Sequence, residues 1–428
     1  MKFIKNTLLL LLLISHSTTL WASRSYSMIS DEVVNIKKFG AKGDGTSDES
    51  GAFQLALNYV SNKRVVLLIP EGQYKIDKQL LIKSNVAVRG TGQSVLIAGG
   101  NLVNNMFYSN NPQVRHIEFE SLTFDSQKAG LKMTDIFSLI GGDGGLKVNI
   151  SKCKFVGKKP FILKKIREGH IDSCTFNASR PVKNSVFLIY NSKNLVVANN
   201  VFEKTGGFQF LQGCADIEIK SNKFLEVPSA YPIHFDKVRA PYKMHSRVKI
   251  LNNQLIGSGL PADEGGTYDQ ISCFGIDGLI IKENVIVGSG DMGITVRSSR
   301  NISIVKNKVS KSNTSGITVG GVKFCLIANN ELMNNGRRKN AQINPFSRAG
   351  IFIYSRLKND SIGVYENIIR NEANQIRGNQ VFAISNAING DVLKTSKSAK
   401  TASITNQVGV PIQLSNKQYL KWFDQLVF

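Results

Sequence analysis

Six stretches of the chain share one pattern: LVVANNVF (195–202), IEIKSNKF (217–224), VKILNNQL (248–255), LIIKENVI (279–286), ISIVKNKV (302–309) and CLIANNEL (325–332). Apolar residues alternate, and then come Asn, one variable residue and an apolar anchor. Alternation at period 2 means a strand with one buried face, which excludes helical repeats. The anchors run through Phe124, Phe155, Phe176, Phe202, Phe224, Leu255, Ile286, Val309, Leu332 and Ile369. A strand-built unit of about 22 residues predicts a parallel β-solenoid whose coils stack at about 4.8 Å. Leucine-rich repeats also carry Asn, but their leucine-dense consensus is missing here.

Two residues before the anchors stand Asn200, Asn222, Asn253, Asn284, Asn307, Asn330 and Asn367. Stacked coils turn such a column into a ladder of side-chain amides, each bonding the next. Cys153 and Cys174 occupy the same column one rung apart. Their spacing admits a strained disulfide or a buried thiol stack. Cys214, Cys273 and Cys325 follow no metal-ligand spacing, and an odd total of 5 leaves at least one thiol free unless chains pair.

A solenoid needs covered ends. TSDESGAFQLALNYV (46–60) reads as an amphipathic helix that caps the N-terminal end, with Phe53, Leu57 and Val60 on its apolar face. The repeat fades after about residue 380, and SNKQYLKWFDQLVF reads as a helix over the last coil. The chain begins with Lys2 and Lys5, an apolar run Leu8–Ile14, and Ala22. That is the pattern of a secretory signal peptide, too short to span a bilayer. The expected organisation is a signal peptide (1–22), an N-terminal segment with the capping helix (23–60), the solenoid (61–380) and a tail (381–428). No later segment is long and apolar enough to span a membrane, so an exported protein without an integral membrane segment is expected.

The formal charge is +23. A basic exported protein meets anionic partners, or carries scattered Lys and Arg for solubility alone. No dense basic run or aromatic-rich nucleic-acid module is present, so nucleic acid is not the expected partner.

VNIKKFGAKGDGTSDESGAFQLAL (34–57), followed by VVLLIPEGQYKI (65–76), resembles the N-terminal segment of the pectate-lyase-like superfamily. The matching residues are Phe39-Gly40-Ala41, Gly43-Asp44-Gly45 and Pro70-Glu71-Gly72-Gln73-Tyr74. The resemblance implies an all-β, single-stranded right-handed parallel β-helix. It also implies a place among pectin and alginate lyases, polygalacturonase-type hydrolases, uronan epimerases and tailspike depolymerases. The motifs of the polygalacturonase-type hydrolases are incomplete. Their turns correspond to Gly290-Asp291-Met292, Thr314-Ser315-Gly316 and Phe352-Ile353-Tyr354, which keep one acid and lack the histidine and the basic pair. Inverting hydrolysis needs two carboxyl groups, so a lyase is favoured over a hydrolase or epimerase.

The strands after the anchors align as FLIY (187–190), FQFL (208–211), IHFD (233–236), QISC (270–273), ITVR (294–297), ITVG (317–320) and IFIY (351–354). Alternation sends His234, Asp236, Thr295, Arg297, Thr318, Gly320, Phe352 and Tyr354 outward. Insertions at 225–232, 256–269 and 333–349 should flank a low floor of Thr295, Arg297, Thr318 and Gly320. A β-elimination needs a cation on the uronate carboxylate, a base for the C5 proton and an acid for the leaving oxygen. Candidate catalytic residues are Arg297, His234, Asp236, Asp291 and Tyr354. Candidate substrate-binding residues are Thr295, Thr318, Arg337, Arg338, Arg348 and His245. Asp263, Glu264 and Asp269 form a loose acidic cluster, either a solvated loop or a calcium site. The expected substrate is an acidic, uronate-containing polysaccharide. The rival expectations are a non-catalytic polysaccharide-binding accessory protein and a surface adhesin.

Overall fold

The computed structural model describes residues 32–404, apart from 62, 64, 158–160, 179–185, 228–230, 259–267, 338–348, 355–368, 373, 378–381, 389–390 and 398–402. The expected signal peptide and the 405–428 tail lie outside the described residues.

The chain winds as a right-handed parallel β-helix. Short strands from successive coils form a 25-stranded sheet that bends around the coil and a separate 13-stranded sheet. Nearly every pairing is parallel. The register joins each apolar anchor to the next, as in Phe155 to Phe176, Phe202 to Phe224 and Val309 to Leu332. Inside, Phe124, Phe155, Phe176, Phe202 and Phe224 stack with ring centroids 5.0, 4.8, 4.5 and 4.7 Å apart. That spacing is the interstrand distance, so one aromatic per coil forms a continuous stack from Phe124 to Phe224.

The asparagine ladder forms as expected, with one change. Asn200, Asn222, Asn253, Asn284, Asn307 and Asn330 each donate from Nδ2 to Oδ1 of the next rung at 2.9–3.0 Å. The last acceptor is Asn374, not Asn367. Ile376 pairs with Leu332, while Ile369 pairs with Cys325 in the strand before the turn. The step across this coil is longer than the repeat suggests, because the insertion adds residues before the turn. Cys153 and Cys174 are free thiols. The Cys174 thiol donates to Asp172 O and Ile150 O, the same relative carbonyls that Asn222 Nδ2 reaches at Lys220 and Val197.

The cap is a helix α1 (Ser50–Val60) that buries Phe53, Ala56, Leu57 and Val60. It starts later than the sequence pattern suggests, because Asp44–Asp48 forms a strand. Glu49 is buried and accepts from the main-chain N–H groups of Lys42 and Gly43 at 2.9 and 3.1 Å. Gly43 sits at φ +73 with its Cα facing the Tyr74 ring, where a side chain would collide. The superfamily-like motif is thus scaffold. At the far end, Phe382–Ile388 adds one more parallel strand beside Ala349–Tyr354. Asp391–Lys397 then returns antiparallel and ends the parallel stacking.

Candidate functional site

Five consecutive strands of the 13-stranded sheet carry the candidate residues: β1 (Phe208–Leu211), β2 (Ile233–Phe235), β3 (Ile271–Phe274), β4 (Ile294–Arg297) and β5 (Ile317–Gly320). Their inward column is Phe208, Ile233, Ile271, Ile294 and Ile317. The next column reads Gln209, His234, Ser272, Thr295 and Thr318. The strand at 270–273 therefore sits one residue later than aligned by sequence, and Phe274 pairs with Arg297.

The expected floor is covered. Thr295 and Thr318 are both 0% exposed. Thr295 Oγ1 donates to Met292 Sδ at 3.2 Å, and Thr318 Oγ1 bonds Ser315 Oγ. The turns that precede β4 and β5 fold back over these hydroxyls. Gly293 permits this close return, since a Cβ there would strike Val309 and the Gly316 carbonyl. These two threonines brace turns and do not face a substrate.

His245 is corrected as well. It is wholly buried, accepts from Cys214 N–H through Nδ1 at 3.0 Å and bonds Asp236 O through Nε2 at 3.0 Å. Burial pushes its pKa down to about 4. Both ring nitrogens are used, so none is left for a substrate.

The site itself converges above β2–β4. Tyr231 lies flat on His234, with ring centroids 4.4 Å apart and planes 17° apart. Tyr268 meets Tyr231 edge-on at 5.1 Å. Arg297 leans over Phe274, its Cζ 5.2 Å from the ring centroid, so the guanidinium reaches back over β3. Asp269 is buried beside this group. It accepts from Met292 N–H at 3.2 Å, and the charges of Asp291 and Arg297 both reach it. Burial first, and then Asp291, raise Asp269 to about 7 despite Arg297 and the Thr295 contact. Burial and then Asp269 push the Tyr231 hydroxyl up to about 12. Asp291 is pinned by Thr314 Oγ1 at 2.7 Å.

Arg297 Nε and His234 Nδ1 are among the buried polar atoms of the described residues that have no partner. A buried guanidinium N–H without an acceptor costs more than an ordinary lost bond, because the group is charged. Both atoms belong to the group around Tyr231.

The structure thus brings together Arg297, His234, Asp236 and Asp291 from the expected set. Asp236 follows β2, with Oδ1 3.7 Å from His234 Nε2. Tyr354 is farther along the sheet, paired through its backbone with Gly320. Arg337 is exposed. Arg338, Arg348, Asp263 and Glu264 lie outside the described residues. Sequence reasoning missed Tyr231 and Tyr268 and placed Asp269 only in a loose acidic cluster, a solvated loop or a calcium site. The available signal was an aromatic just before a site strand, in SAYPIHFD and TYDQIS. Among the described residues, no group of three His, Cys, Asp or Glu side chains converges on one metal position.

A family model described as rhamnogalacturonase A/epimerase, pectate lyase-like, matches residues 33–234, under half of the chain. Alginate lyase 7 of Azotobacter vinelandii is 38% identical over 66 residues, 14% of this chain and 8% of that protein. A non-secreted LysM effector, LysM19 of Penicillium expansum, is 31% identical over 75 residues, 18% of this chain and 6% of that protein. The chain thus spans only a small part of these two curated relatives. Among solved structures, the A-module of the Azotobacter vinelandii mannuronan C-5 epimerase AlgE6 superposes with a TM-score of 0.60 at 14% identity. That superposition covers 83% of this chain and 98% of the module. With its coils, ladder and cap, the chain has the right-handed parallel β-helix fold, and its residues 33–234 resemble the pectate lyase-like family.

Proposed function

We propose that the protein binds a uronate-containing polysaccharide across β2–β4 and cleaves it by β-elimination. The observation that carries this reading is the unpartnered, buried Arg297 Nε beside an Asp269 that burial keeps protonated up to about pH 7. An ionised Asp269 would pair with Arg297. A neutral one leaves the guanidinium free for the carboxylate of a sugar. Neutralising that carboxylate acidifies the C5 proton.

His234 Nδ1, also buried and unpartnered, supplies the base. It takes the C5 proton, the electron pair forms the C4–C5 double bond, and the C4–oxygen bond breaks. Tyr231 keeps its proton at neutral pH and donates it to the departing oxygen. Solvent then takes the proton from His234 and returns one to the Tyr231 oxygen. Export belongs to the same proposal and rests on the Lys2, Lys5, Leu8–Ile14 and Ala22 pattern.

The test is a panel of acidic polysaccharides, alginate and pectate among them. It follows ultraviolet absorbance from unsaturated uronates, new reducing ends and solvent deuterium at C5. Absorbance and reducing ends rising together, and falling by about 10²–10³-fold in Arg297→Ala, are expected. Deuterium without new ends means epimerisation, and ends without absorbance mean hydrolysis. Binding with no turnover means an accessory protein.

A further inference from the structure

Behind His234 runs a string of polar contacts that the proposed reaction does not use. Cys214 N–H donates to His245 Nδ1 at 3.0 Å, so the proton of the neutral His245 ring is on Nε2. Nε2 then donates to the main-chain oxygen of Asp236 at 3.0 Å. His245 is fully buried, and this contact anchors the chain where β2 ends. The Asp236 side chain is held in turn. Oδ1 accepts from Lys237 N–H at 2.7 Å, Oδ2 from Gln209 Nε2 at 3.5 Å, and Oδ1 lies 3.7 Å from His234 Nε2. On the other side, Tyr231 clamps the His234 ring at 4.4 Å. His234 is 9% exposed, with Nδ1 buried and unpartnered.

A neutral imidazole has one N–H and one lone pair, and the partner of one nitrogen decides the role of the other. We infer that Asp236 is a positioning residue: its carboxylate keeps the His234 proton on Nε2, so that the Nδ1 lone pair faces the site, and His245 braces Asp236 from behind. The inference rests on the reading of His234 as the base, and goes beyond it. When Nδ1 takes a proton, the ring becomes an imidazolium whose charge faces the Asp236 carboxylate, 3.7 Å from Nε2. No proton passes to the carboxylate, which His234 and the Lys237 N–H hold below the usual carboxylate range.

Nitrogen-15 NMR of the histidine rings at neutral pH reads the tautomer with no substrate present. His234 is assigned by the signal lost in His234→Gln. The wild-type protein is expected to show a protonated Nε2 and a bare Nδ1. Oδ1 also accepts from Lys237 N–H, so an Asn would keep an oxygen at that position, and the variant of choice is Asp236→Ala, which removes the carboxylate from Nε2 and is expected to raise the share of His234 protonated on Nδ1. On the polysaccharide that the panel identifies, Asp236→Ala is expected to lower kcat about 10²-fold with KM within about threefold. Asp236→Glu recovers part of the loss. An unchanged tautomer in Asp236→Ala overturns the inference whatever the activity. A shifted tautomer with unchanged kcat upholds Asp236 as the positioning group and removes His234 as the base. If Asp236→Ala fails to fold, the wild-type spectrum decides: a His234 protonated on Nδ1 overturns the inference.

Discussion

Asp269 holds a proton at the centre of the site, and that has a measurable effect on folding. Its carboxyl titrates near 3.8 in an exposed chain and near about 7 in the fold. Between those values the folded state binds a proton that the unfolded state has released. Stability therefore falls as pH rises through this window. The gap from 3.8 to about 7, at about 1.4 kcal/mol per pH unit, amounts to about 4 kcal/mol when fully developed. Between pH 5 and pH 8 the change is about 2–3 kcal/mol. Asp269→Asn keeps the acceptor for Met292 N–H and cannot ionise. Urea unfolding of both chains at pH 5 and pH 8 isolates the effect, because every other titrating group is common to both. The variant is expected to gain about 2–3 kcal/mol on the wild type between the two pH values. A gain below about 0.5 kcal/mol would refute the claim that Asp269 is protonated when folded, and with it the account of why Arg297 stays unpaired.

Three further outcomes follow from the scaffold. Asn253→Ala strands the N–H and the side-chain amide of Asn222, both of which bond Asn253 Oδ1, and should cost about 2–4 kcal/mol in urea unfolding. All five cysteines are buried free thiols, so a thiol reagent should label none in the native protein and all of them in denaturant. Burial lowers His245 from 6.5 to about 4, so its ring signals should stay neutral down to about pH 5. The unfolded histidine takes up a proton first as pH falls, so this residue alone should remove about 3 kcal/mol of stability between pH 6.5 and pH 4.

The coils were legible because each repeats one packing problem. Phe155, Phe176 and Phe202 must meet at the interstrand spacing, and the Asn column must satisfy itself at every turn. Such demands recur in the sequence at each rung. The last rung failed for the same reason: Asn367 and Asn374 both precede an apolar residue by two, and only pairing selects Ile376.

Alternation also told which side of the sheet a residue takes, but not what covers it. It placed Thr295 and Arg297 together outside, yet Thr295 is sealed under Met292 while Arg297 keeps a buried donor free. The difference lies in chain length beyond the strand. A long Arg side chain passes the turn that closes over a threonine, and leans across Phe274 to the neighbouring coil. Asp269 and Tyr231 were hidden by the opposite effect. Each belongs to the last residues of an insertion, where no period applies, and each gains its character from distant partners. Asp269 owes its proton first to a burial that no local pattern encodes, and then to Asp291, 22 residues later. A superfamily that keeps its coils can thus change its chemistry at these strand entrances, because the ladder and the aromatic stack hold β2, β3 and β4 in register whatever the insertions carry.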